Sequence, residues 1–161
     1  MTVFISYRHT DRLLAQQIDA RLKQQRISTY LDVLDDESGS TEDITSVITQ
    51  RVADCSHLLA IISRETALSW WVPFEIGEAT IIDRRIAAFR VGSAGLPDYL
   101  KKWPVLATGA DLDFFIEEYK RDRSRLQESI SLESILGSVT GKRAFANDFH
   151  EKLKARVGRG F

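Results

Sequence analysis

Short apolar runs alternate with segments whose apolar residues recur at helical spacing, and this alternation continues through the first two-thirds of the chain. Residues 2–6 read as a strand, and residues 11–24 as a helix with Leu14, Ile18 and Leu22 on one face. Residues 27–31 give a second strand. An acidic, glycine-containing loop over 32–41 leads into a helix that runs to about residue 55, with Ile44, Val47, Ile48 and Val52 at helical spacing. Residues 57–62 form a third strand, continuously apolar from Leu58 and partly β-branched, as expected of a strand covered on both faces. A helix carrying Glu75, Ile76, Ala79 and Ile82 ends near Arg84 and Arg85, and residues 86–91 make a fourth strand. Further on the pattern loosens. Residues 92–95 are a loop, 96–100 a short helical turn and 104–107 a fifth strand at the sheet edge, where Pro104 is tolerated. Helices follow over 111–125, 126–136 and 143–157, the last two divided by Gly137 and Gly141.

Strict alternation of strand and helix predicts an α/β fold: a flavodoxin-like, doubly wound parallel sheet of about five strands in the order 2-1-3-4-5. Residues 1–125 form the sheet domain on this reading, and residues 126–161 a helical C-terminal extension packed on it or continuing it. Apolar positions at Leu132, Ile135 and Leu136, and at Phe145, Phe149 and Leu153, give the extension faces that pack on the domain or join subunits. In this topology ligands bind beyond the carboxyl ends of the first and third strands. Ser6, Tyr7, Arg8, His9, Thr10 and Asp11 follow the first strand, and Ser63, Arg64 and Glu65 follow the third. The loop after the second strand, beginning at Asp32, forms the near wall.

Composition narrows the functions that such a cleft can serve. The 161 residues carry a net charge of −1, which supplies neither a basic footprint for nucleic acid nor a polybasic membrane patch. The single cysteine, Cys55, excludes an internal disulfide framework and a cysteine-rich metal site, and reads as a small buried hydrophobe at a helix end. With no apolar run long enough to span a bilayer and no signal-peptide layout at the N-terminus, the expected location is cytoplasmic. The acidic cluster Asp32, Asp35, Asp36 and Glu37 lacks EF-hand spacing and reads as a solvated loop gating the cleft.

The junction from Ser69 to Glu75 carries the candidate chemistry. Pro73 suits the first turn of a helix, which places Glu75 in the opening turn beside Trp70 and Trp71, just past the carboxyl end of a buried strand. A helix acid that complements the macrodipole is the plain alternative for Glu75. Trp71 either stacks on a ligand ring or anchors the helix to the core, and Trp70 and His57 read as structural.

Three separated segments together resemble a Toll/interleukin-1 receptor (TIR) domain of the prokaryotic, NAD-cleaving type. Val3-Phe4-Ile5-Ser6-Tyr7-Arg8 is similar to the family's first box. Tyr30-Leu31-Asp32, with Gly39 and the helix from Glu42, is similar to its BB loop. Trp71-Val72-Pro73-Phe74-Glu75 matches the Trp-x-x-x-Glu signature of NAD-cleaving members. The resemblance covers roughly the first 125 residues.

It implies an NAD glycohydrolase or cyclase that releases nicotinamide and yields ADP-ribose or a cyclic isomer, as in antiphage defence signalling. NAD is then a substrate, and no cofactor or metal is required. Nicotinamide departs as a neutral molecule from a cationic ring, so a single carboxylate, Glu75, can suffice where ordinary glycosidases use two. Ser6, Tyr7, Arg8, Asp32, Ser63 and Trp71 are the candidate substrate-binding residues; the plain alternative for Tyr7 and Arg8 is an exposed polar loop, and for Ser6 and Ser63 the mere finish of their strands. Self-association through TIR surfaces and a product-sensing effector protein are the implied partners. Two other readings remain: a non-catalytic TIR interaction module acting by homotypic assembly, and a phosphoacceptor receiver of the same sheet order. The receiver needs an aspartate after the third strand, where this chain has Ser63-Arg64.

Overall fold

A computed structural model of the chain describes residues 1–31, 44–136 and 142–158. Five parallel strands, β1 (Thr2–Ser6), β2 (Ser28–Leu31), β3 (His57–Ile62), β4 (Arg85–Arg90) and β5 (Val105–Leu106), form one sheet in the order β2-β1-β3-β4-β5. The register sets Phe4 opposite Tyr30 and Leu58, Ser6 opposite Ala60, and Leu58 opposite Ile86. The expected flavodoxin-like order is therefore the observed one. The fifth strand is present but only two residues long, pairing with β4 at the sheet edge.

Helices α1 (Arg12–Gln24), α2 (Ile44–Asp54), α3 (Trp71–Ile81), α4 (Gly109–Leu136) and α5 (Lys142–Val157) cover the sheet. Because side chains alternate along a strand, each central strand feeds two cores. Val3, Ile5, Leu59, Ile61 and Ala87 point to one face, where they meet Ile18 and Leu22 of α1, Phe115 and Tyr119 of α4, and Phe149 and Leu153 of α5. Phe4, Leu58, Ala60, Ile62, Ile86 and Ala88 point to the other, against Ile48 and Val52 of α2 and Val72, Ile76 and Ala79 of α3. All six residues of β3 are buried. Each fully buried Leu or Ile among them contributes roughly 1.5–3 kcal/mol relative to exposure.

Two expectations about helices are corrected. The separate helices foreseen over 111–125 and 126–136 are one continuous α4. No glycine or proline falls between Ala110 and Leu136 to interrupt it. Pro73 is the third residue of α3, still in its first turn, and Glu75 is the fifth, just past the opening turn in which it was expected. Proline is still tolerated there because the first N–H groups of a helix have no intrahelical acceptor.

Two helices, α1 and α3, close through a left-handed residue that is not glycine. After α1, the N–H of Ile27 bonds to the Leu22 carbonyl at 3.1 Å and that of Arg26 to the Lys23 carbonyl at 2.9 Å, with Arg26 at φ 59°. After α3, Arg84 bonds to Ala79 at 2.9 Å and Asp83 to Thr80 at 3.3 Å, with Asp83 at φ 56°. Both are Schellman closures whose left-handed residue, usually glycine, is Arg26 or Asp83.

Candidate functional site

The loops after β1 and β3 meet at the carboxyl ends of the central strands, where the sheet order reverses. Arg8 reaches across and donates from Nη1 to the backbone carbonyl of Glu65 at 2.6 Å, with the Glu65 carboxylate 3.9 Å from the same nitrogen. Ser63 makes a second tie, its hydroxyl donating to Asp11 Oδ2 at 2.7 Å. Asp11 closes the short 3-10 turn His9–Asp11 that leads into α1.

Ser63 itself is held by Thr66. The Ser63 N–H donates to Thr66 Oγ1 at 2.8 Å, the Thr66 N–H returns to the Ser63 carbonyl at 3.2 Å, and Thr66 is almost fully buried. Asp11, the last residue of the loop after the first strand, and Thr66, which the sequence pattern gives no role, thus shape the loop pair. The spacing Ser63-x-x-Thr66 was the available signal.

Glu75 shares the buried stripe of α3 with Val72, Ile76 and Ala79, the stripe that packs on the sheet. Its exposure is 0 %, and both carboxylate oxygens are shut off from solvent. A helix acid serving the macrodipole sits in the first turn, facing water; Glu75 does neither, and α3 has no acidic residue in its first turn. Glu78, one turn on, accepts a hydrogen bond from Thr49 Oγ1 at 2.5 Å and ties α3 to α2.

Ser6 alternates with Phe4 along β1 and so points to the same face as α3. It is completely buried, and its hydroxyl has no hydrogen-bond partner among the described residues. Such a hydroxyl costs about 1–3 kcal/mol relative to a satisfied one, a cost that folding alone does not favour. Tyr7 points the other way. It is 8 % exposed and belongs to the core formed with α1, α4 and α5, so the sheet lies between its ring and α3.

Trp71 opens α3 and is partly buried against the α2–α3 core, with Phe74 edge-on at 6.0 Å and 85°. Trp70 is 89 % exposed. On the β2 side, Tyr30 stacks on Phe4 at 5.5 Å, and Arg51 lies 4.8 Å over its ring. The structure thus ties Arg8 to the Ser63 loop, and puts Ser6 on the sheet face that α2 and α3 cover, with Glu75 and Trp71 on α3. It separates Tyr7 from them. Asp32, the acidic residues Asp35, Asp36 and Glu37, and the BB-loop positions Gly39 and Glu42 lie outside the described residues, as do Gly137, Gly141 and the side chains of Leu132, Ile135 and Leu136.

A second polar cluster sits at the opposite, amino-terminal end of the strands. Arg85 Nε lies 2.8 Å from Asp122 Oδ2, and Arg85 Nη2 donates to Asp122 Oδ1 at 3.2 Å, both side chains nearly buried. His57 Nε2 is 3.7 Å from the same carboxylate, inside a cage of Phe115, Tyr119 and Phe149. Burial first, and then the Arg85 charge, hold His57 well below its ordinary pKa; burial pushes Asp122 upward against the opposing pull of Arg85. His150 Nε2 accepts the Ile86 N–H at 2.8 Å, which fixes a neutral ring with its proton on Nδ1. Burial, with Lys154 and Arg85, lowers its pKa to about 4.

This second cluster fastens α4 and α5 to β3 and β4, and contains no exposed nucleophile. Cys55 is buried, and desolvation followed by Asp54 raises its thiol to about 11, which keeps it protonated and inert. Among the described residues, no group of three His, Cys, Asp or Glu side chains is placed to hold a metal ion. Nor is any described helix long and apolar enough to cross a membrane.

A doubly wound parallel sheet with its loop pair at the switch point defines the class of architecture. The TIR domain family matches residues 3–127, and the chain belongs to that family. No curated protein sequence matches it. Among solved structures, the TIR domains of the activated Roq1 resistosome directly recognising the pathogen effector XopQ align over 99 % of this chain and 84 % of theirs, at 13 % identity and a TM-score of 0.48. Diflavin flavoprotein A3 from Nostoc sp. aligns over 99 % of this chain and 94 % of its own, at 12 % identity and a TM-score of 0.45. Helix α5 lies beyond the family match, yet contributes Phe149 and Leu153 to the core.

Proposed function

We propose that this TIR domain cleaves the nicotinamide–ribose bond of NAD, with Glu75 as the catalytic carboxylate, giving nicotinamide and either ADP-ribose or a cyclic isomer. The observation that carries the reading is the complete burial of Glu75 on the sheet-facing stripe of α3. Ionised carboxylates are costly to place there, and such positions cluster at functional sites.

In the proposed reaction the C1′–N bond breaks and its electron pair leaves with nicotinamide, which becomes neutral without a proton. Glu75 stabilises the developing oxocarbenium charge and orients the ribose hydroxyls, an electrostatic task strengthened by a dry site. Water attacking C1′ gives ADP-ribose after losing a proton; an adenine nitrogen or a ribose hydroxyl attacking the same centre gives a cyclic product. Ser6 supplies a hydroxyl on the sheet face that α3 covers, and Trp71 forms the aromatic wall. Arg8, 23 % exposed at the side chain and tethered to Glu65, offers its remaining donors to the pyrophosphate.

Because Glu75 has no exposed surface, the reading requires the wall above it to move aside before NAD enters. Self-association of TIR domains is the proposed trigger, and a protein that senses the product is the proposed downstream partner, in the manner of antiphage signalling. Incubating the purified protein with NAD, alone and under crowding that drives assembly, and resolving nicotinamide, ADP-ribose and cyclic products by chromatography tests this. Nicotinamide release that rises steeply with protein concentration supports the reading. No release in either condition leaves a purely interacting TIR module.

A further inference from the structure

At the amino-terminal end of the strands, remote from Glu75, a cavity of about 290 Å³ lies between the C-terminal end of α3, the 3-10 turn Asp98–Lys102 and α5. Its charged lining is three cations, Arg84, Lys102 and Arg143, against one acid, Asp83, in a chain whose net charge is −1. Arg143, Asn147 and His150 line it from one face of α5, at positions i, i+4 and i+7, with Arg143 in the first turn where the helix dipole is positive. The floor is Ile86 and the largely buried Trp103.

We propose that this cavity binds the phosphate or diphosphate group of a small organic anion, independently of the NAD reaction. Arg84 is the second observation that points to an anion. One arm of its guanidinium donates to the Ala53 carbonyl, while its Nε is buried with no hydrogen-bond partner among the described residues. Burial and the neighbouring Arg85 both lower its pKa, so a cation is held where the field disfavours it, and an oxyanion in the cavity would supply the missing charge. With Nε2 committed to Ile86, His150 adds an Nδ1–H donor to the lining. Asn147 adds an amide. The volume lies at the lower limit of small-molecule sites, about 300 Å³, which suits a compact phosphate and excludes a whole dinucleotide.

The test uses the full chain and inorganic pyrophosphate as the probe, with titration calorimetry and amide NMR shifts at low salt. Expected is saturable one-site binding, with shifts confined to residues 80–86, 102–103 and 143–150. Lys102→Glu and Arg143→Glu, both on exposed side chains, each weaken binding by about tenfold or more. Lys120→Glu, the same charge change on α4, shifts it by less than about twofold. No saturable binding at millimolar pyrophosphate overturns the proposal. So does equal weakening by all three reversals, which marks diffuse attraction, or a set of shifts centred on residues 6–11 and 63–75.

Discussion

Arg8 donates to the backbone carbonyl of Glu65 at 2.6 Å, across 57 positions of sequence, and so closes the loop after β1 against the loop after β3. Together with the Ser63–Asp11 hydrogen bond it fixes the two segments that parallel-sheet topology brings to the switch point. The guanidinium is needed less for its charge, since Glu65 is exposed, than for its reach and fork of donors.

Removing these ties should therefore loosen the site more than the fold. Ser63→Ala should cost about 1 kcal/mol in urea unfolding. Arg8→Ala should change stability little, and should raise KM for NAD by about tenfold with a smaller effect on kcat. An unchanged KM with a large loss of stability would make Arg8 purely structural.

The two left-handed helix closures predict stabilising substitutions. Arg26 pays for φ 59° with its Cβ, and its side chain makes no hydrogen bond among the described residues. Arg26→Gly relieves about 1 kcal/mol of strain, offset in part by the greater freedom of glycine in the unfolded chain. A net gain of a few tenths of a kcal/mol, seen as a higher urea midpoint at constant slope, is expected. A lower midpoint would contradict the assignment of strain.

The Arg85–Asp122 pair predicts an asymmetric response to mutation. Asp122→Ala leaves Arg85 charged and buried, and should cost about 3–5 kcal/mol. Replacing both by apolar residues, Arg85→Met with Asp122→Leu, should recover most of that loss. Unfolding titrations on the single and double variants check this. A double variant no more stable than Asp122→Ala would contradict it.

Stability should fall as the solution is acidified from neutrality. His57 and His150 titrate lower in the folded chain than in the unfolded one, so below about pH 6.5 the unfolded chain takes up protons that the folded chain does not. The loss is up to about 1.4 kcal/mol per pH unit for each histidine, and for His150 it continues until its folded value of about 4. Asp122, raised by burial, acts with the opposite sign above the ordinary aspartate value. Unfolding free energies compared at about pH 7.5 and 5.5 measure the slope. His57→Phe, which keeps a ring in the aromatic cage, should remove roughly half of it.

Local pattern made the strand order and the element bearing Glu75 readable, because β3 is apolar from Leu58 onward and α3 keeps its buried stripe. It did not reveal the pairing of Arg85 with Asp122, which lie 37 positions apart on different elements and reach each other only through tertiary packing. The helix over 11–24 ends where its pattern stops, at Gln24, whereas the α3 pattern runs on to Arg84 and Arg85 past the true end at Ile81, since Asp83 stands where glycine would mark the stop. Tyr7 reads as a cleft residue because it lies in the loop after the first strand; its ring joins the core on the opposite face of the sheet instead, as alternation with Ser6 allows. The burial of Glu75 was legible only as a position on a helix, since a glutamate's solvent exposure is not written in its neighbours.

The central claim is that Glu75 is buried for chemistry. Measuring nicotinamide release from NAD by wild type and Glu75→Gln, at matched protein concentration and with folding checked by circular dichroism and thermal melting, tests it most directly. The account predicts a folded Glu75→Gln protein whose release falls by about a thousandfold or more, since the substitution removes the charge that opposes the oxocarbenium while keeping the shape. A folded variant that releases nicotinamide at the wild-type rate would contradict it.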